Sequence, residues 1–137
     1  MRDATYDIDT HDNQRILDCV AYHFITLMTP PAKQSSGSCF YNDEKYGRCA
    51  IGIFLDDETG QEWDLEGYAA PDTMPFDGEE NSPFISSQRS FLTAIQSWHD
   101  TVLEDDMPRH ERIATLRLAV TKFPDIDLNV PESNPAL

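Results

Sequence analysis

Between Cys49 and Gln88 the chain has forty residues without a single Lys or Arg, while ten of them are Asp or Glu. Over residues 43–80 there are twelve acids and two bases, a net of −10 within a formal total of −15. Net charge bears on partners and solubility rather than on fold. With only ten cationic side chains in all, direct binding of DNA or RNA is not expected, because that affinity comes mainly from neutralising phosphates. No apolar run approaches the ~20 residues of a membrane span. The first residues, MRDATYDIDTHD, lack the apolar stretch of a signal peptide. Three cysteines at irregular spacing do not make a disulfide framework, which fits a reducing cytoplasm.

Aromatic residues are not scarce. Two Trp, five Tyr and seven Phe within 39% apolar composition predict a folded globule, and 137 residues predict one domain large enough for a core. Residues 1–10 and 131–137 are expected to be loosely ordered. Ile16, Leu17, Val20, Phe24, Leu27 and Met28 recur at helical spacing after a cap at Asp9, Thr10 or Asp12, and Pro30-Pro31 stops that helix. A second helix carries Phe91, Leu92, Ile95, Trp98 and Val102, with Ser86 or Ser87 as cap. A third begins at Pro108 and carries Ile113, Leu116, Val120 and Phe123. Residues 38–41 and the apolar run 48–55 read as a small β-hairpin, the second arm alternatively a short buried helical turn. Ala50 and Gly52 there leave room for another backbone. Residues 56–85, punctuated by Gly and Pro, read as a long acidic loop pinned by Trp63, Leu65, Tyr68, Met74, Phe76 and Phe84. Alternation of Ile126, Leu128 and Val130 suggests a last short strand. The expected fold is α+β, mostly helical.

Motifs that would name a reaction are missing. Cys19, Cys39 and Cys49 lack the paired spacing of zinc ligands and read as packed thiols. The run Asp56–Glu66 is acidic enough for calcium, but placing Gly60 at the sixth position of an EF-hand loop puts Leu55 at the first. His99-Asp100 and His110-Glu111 are adjacent on helices, where neighbours do not face each other. Ala114 stands where a zincin would need its second His. His23, beside the first apolar stripe, reads as packed. There is no G-x-S-x-G, P-loop or G-x-G-x-x-G. No enzyme, cofactor or metal is expected.

The stretch Cys39–Glu58 (CFYNDEKYGRCAIGIFLDDE), Leu65-Glu66-Gly67 and the later Gln96-Ser97-Trp98-His99-Asp100 resemble a group of small uncharacterised phage and prophage proteins. The resemblance covers about residues 39–67 and 91–123 and departs at Gly47-Arg48-Cys49. It implies a compact fold and a phage-like origin, hence the cytoplasm of a host, and carries no activity with it. Together these readings give a non-enzymatic acidic interaction protein. Its expected partner is a basic host protein that binds nucleic acid or serves in defence, inhibited by charge mimicry. Asp56, Asp57, Glu58, Glu62, Trp63, Asp64, Glu66, Tyr68, Glu79 and Glu80 would form the partner-binding surface, with the rings as anchors in a charged rim. A second copy of the chain is a further candidate partner. The alternatives are a small-ligand or metal module built on His99, Asp100, Cys39 and Cys49, or an acidity that reflects a salt-rich habitat.

Overall fold

The computed structural model describes residues 4–32, 41, 47–69 and 71–137. The element α1 spans Asn13–Ala21, with the Asp12 side chain accepting from the amides of Gln14 and Arg15. It opens into a π turn over Tyr22–Thr26, closed by the Leu27 amide on the Tyr22 carbonyl. Helix α2 spans Asp57–Glu66, α3 spans Arg89–Ser97 and runs into a second π turn over Trp98–Val102, and α4 spans Arg109–Ala119. Helix α4 packs against α3 and against both π turns. Between them lies one apolar cluster that includes Ile16, Leu17, Val20, Phe24, Phe91, Leu92, Ile95, Trp98 and Leu116.

The three helices expected from periodicity are present, but the β-hairpin is not. Among the described residues there is no strand or sheet, so the fold is helical rather than α+β. The first arm, residues 38–40, and most of the turn lie outside the described residues. The second arm is a tight turn with a 3-10 segment at Gly52–Phe54. Its amides bond locally, Ile53 to Cys49 O, Phe54 to Ile51 O and Leu55 to Gly52 O, so it needs no partner strand to satisfy its backbone. Residues 49–55 are buried on every side, which explains an apolar run with no alternation. A Cβ on Gly52 would stand 2.0 Å from the Tyr41 carbonyl oxygen, so the close backbone approach read from the small residues is real.

The acidic loop is also corrected, because it contains α2. Its start and stop signals are complete. Asp56 caps it by accepting from the Thr59 amide, and Asp57 and Glu58 occupy the favourable first turn. Gly67, at φ 70°, ends it in a Schellman arrangement, its amide on Asp64 O and that of Tyr68 on Trp63 O. The apolar stripe is what was absent. Trp63 points inward and Leu65 outward, so no periodic face announces the helix.

Smaller departures have similar causes. Neither Ser86 nor Ser87 caps α3; a 3-10 turn at Ser86–Gln88 precedes it, and the Gln88 side chain accepts from the Ile85 amide. The same side chain donates to Thr10 O and Asn13 Oδ1, tying the starts of α1 and α3 together. The tail forms no strand. It lies along α1 with Asp127 N and O bonded to the Gln14 side chain, and Ile126, Leu128 and Val130 half-buried. The lead-in before α1 is pinned by Tyr6, which is buried and donates its amide to Ile53 O.

Candidate interaction surface

Helix α2 touches the body through Thr59, Gly60 and Trp63. Trp63, 1% exposed, meets Tyr41 and Tyr68 edge-on at 5.3 and 6.2 Å and donates Nε1–H to Glu80 O at 3.3 Å. That last bond seats the 79–81 turn against the helix. With those three residues inward, Glu58, Gln61, Glu62, Leu65 and Glu66 share the outer face at i, i+3, i+4, i+7 and i+8. Leu65 is 87% exposed in the midst of three glutamates.

The ten residues singled out from sequence therefore separate into two groups. Asp56 caps α2, Asp57 pairs with the buried Arg48 guanidinium, and Asp64 Oδ1 accepts from the Tyr41 amide at 2.8 Å. These three, with Trp63, hold the structure. Glu58, Glu62, Glu66, Glu79 and Glu80 face solvent, and Tyr68 is half-buried. Trp63 cannot anchor a partner from inside the protein; the apolar group that the face offers instead is Leu65, which does not pin the segment to the body as the sequence suggests. Once α2 is recognised as a helix, the spacing 58-61-62-65 would have placed it outside.

The electrostatics of α2 are one-sided. Asp57 and Glu58 suit its N-terminal end, but Glu62, Asp64 and Glu66 lie in its C-terminal half, and its last turn has no base. Acids there oppose the helix dipole by up to ~1 kcal/mol each. The adjoining turn is backbone-strained, with Asp77, Glu80 and Asn81 at positive φ beside Gly78. Tyr68 and this turn line an open cleft of about 640 Å3, to whose walls Glu79, Glu80 and Arg89 contribute. Arg89 is occupied: it donates to Pro71 O and Asp72 O and sits 4.5 Å above the Phe76 ring.

The histidine centre considered for chemistry or ligands is internal structure. His99 is fully buried, and the expectation that adjacent helical residues cannot meet fails at the π turn, where Nδ1 lies 2.7 Å from Asp100 Oδ1. Its Nε2 accepts from the Ala32 amide at 3.0 Å. A backbone amide can only donate, so the proton resides on Nδ1 and both ring nitrogens are engaged. Cys49 is buried, its Sγ accepting from the Gly52 amide, whereas Cys39 lies outside the described residues. Burial and nearby Asp18 push the Cys19 thiol up to about 12, so it is an inert core group. No group of three His, Cys, Asp or Glu suited to a metal occurs among the described residues, and no helix there is long and apolar enough to cross a membrane.

His23 is the titratable group with a consequence for stability. It shares a 3.0 Å hydrogen bond with the Tyr6 hydroxyl and stacks edge-on against Tyr6 and Phe24. Burial first, then the neighbouring His99 and Arg48, push its pKa from 6.5 down to about 4. Folding therefore disfavours the protonated ring. This contribution is intact above pH 6.5 and is lost as pH falls towards 4, by up to about 3 kcal/mol. His23→Asn keeps an acceptor for Tyr6 and removes the titration. Urea unfolding from pH 7 to 4 should show the wild type losing stability relative to the variant across that window; a constant difference would refute the assignment.

Comparisons with protein families, with curated proteins and with solved structures find no match to this chain.

Proposed function

We propose that the protein acts by binding a basic protein through the outer face of α2 and the adjoining 79–81 turn. The partner class is a nucleic-acid-binding or defence protein of a phage host, whose phosphate-binding groove the carboxylates occupy. The observation that carries this reading is the α2 face itself, Glu58, Glu62 and Glu66 around an exposed Leu65 with no cation among them. A groove built for phosphates offers cations to relieve both the mutual repulsion and the opposed helix dipole. Leu65 supplies an apolar centre within the charged rim.

The test compares wild-type protein with Glu58→Lys/Glu62→Lys/Glu66→Lys as bait in host lysate, followed by elution with duplex DNA. Exposed ion pairs are worth up to ~1 kcal/mol each, so reversing three should weaken capture on the order of a hundredfold. A basic protein retained by the wild type, lost by the variant and displaced by DNA is the expected result. Recovering none, or one indifferent to the reversal, would overturn the proposal.

A further inference from the structure

A second leucine mirrors Leu65. Leu118 is 75% exposed on α4, whose inward side is Arg112 and Leu116. Ala114, Arg117, Leu118 and Thr121 repeat on α4 and the turn after it the spacing of Glu58, Gln61, Glu62 and Leu65 on α2. The charges next to Leu118 are opposite in sign, Glu111 in the first turn of α4 being the acid on that helix. Of the ten cations in the chain, Arg109, Arg112, Arg117 and Lys122 all fall on α4 and the turn after it, and all but Arg112 are exposed. Since both leucines are exposed, a chain's own α4 does not cover its α2.

We propose that the α2 face of one copy docks on the α4 face of a second copy, Leu65 meeting Leu118 and the glutamates facing Arg117 and Lys122. Two copies can close about a two-fold axis by exchanging both contacts, or a single head-to-tail contact can propagate along a chain of copies. A single helix-on-helix contact falls short of the ~800 Å2 per partner of a standard interface, so the association is reversible. It shares the acidic face with the proposed function, which makes a second copy a competitor for the basic partner. Salt separates the two. Each copy carries −15, and screening that long-range repulsion strengthens self-association. The same screening weakens capture of a basic partner.

Sedimentation velocity of the full chain over a concentration series, at low and at physiological NaCl, tests this. The expected result is an average mass that rises with concentration, more so at physiological salt. Leu118→Glu should lower the association constant on the order of tenfold or more, since it removes a buried apolar contact. Glu62→Arg and Arg117→Glu should each weaken association alone and restore it when the two variants are mixed. A mass that stays monomeric throughout, or an association untouched by Leu118→Glu, overturns the proposal. Arg117→Glu lies outside the α2 face and should leave basic-partner capture intact, so each reading can fail without the other.

Discussion

Replacing Arg112 with Met is expected to lower the unfolding free energy by roughly 3–5 kcal/mol, the range for opening a buried charged network. The guanidinium is 1% exposed and uses all five of its donors on backbone carbonyls. Nε donates to Met107 O, one terminal nitrogen to Phe24 O and Thr29 O, the other to Glu104 O and Asp105 O. No carboxylate is among these partners, so the residue is a strut for loop backbone rather than half of an ion pair. Phe24 O and Thr29 O bracket the reversal after the first π turn, where Met28 takes a left-handed φ of 54°. Glu104 O, Asp105 O and Met107 O belong to the connection between α3 and α4. Without the fork, both reversals lose their shared donor, and the fully buried Phe24 carbonyl has no water to turn to. Burial lowers the guanidinium's pKa, yet arginine stays charged at any ordinary pH, so the loss should not depend on pH. Arg112→Lys should not rescue it, since an ammonium has three donors and no planar fork. Urea denaturation measures the effect, and a loss below ~1 kcal/mol would mean that the carbonyls find other donors.

Gly52→Ala is expected to cost more than ~3 kcal/mol, because the added methyl meets backbone that cannot rotate aside. The Tyr41 carbonyl oxygen, carbon and Cα would lie 2.0, 2.7 and 2.8 Å from the new Cβ. Tyr41 is itself held by its hydroxyl on Tyr68 O and its amide on Asp64 Oδ1, so displacing it disturbs the seat of α2. Gly67→Ala is the informative control. Gly67 has nothing within 4 Å of a built Cβ, and its φ of 70° alone should cost ~1–2 kcal/mol. Thermal unfolding of both variants distinguishes steric exclusion from backbone preference; equal losses would remove the close approach as the explanation.

These two positions also mark how far the sequence could be read. Gly52 was legible, because two small residues inside an apolar run signal close approach whatever the secondary structure. Arg112 was not, because nothing in the spacing of one arginine on a polar helix face says that five carbonyls will converge on it. Helices α1, α3 and α4 declared themselves through periodic apolar faces. Helix α2 did not, since one buried Trp63 and one exposed Leu65 give no stripe, although Asp56 and Gly67 supplied both of its caps. The acidity singled out the stretch that contains α2 but could not sort its members by structural role. Which carboxylates hold the fold, as Asp56, Asp57 and Asp64 do, depends on donors brought in from Arg48, Thr59 and Tyr41. The π turns were equally invisible, and with them the contact that joins His99 to its own neighbour.

The way α2 is attached has a consequence for inheritance. Its inner side is three residues, Thr59, Gly60 and Trp63, and among the described residues no Asp or Glu is buried. Positions 58, 61, 62, 65 and 66 can therefore change in successive generations without touching what holds the helix to the body. The residues of the proposed face and the residues that seat the helix are different ones. Under the proposed function, a lineage facing a changing target can rewrite the face while the attachment stands still.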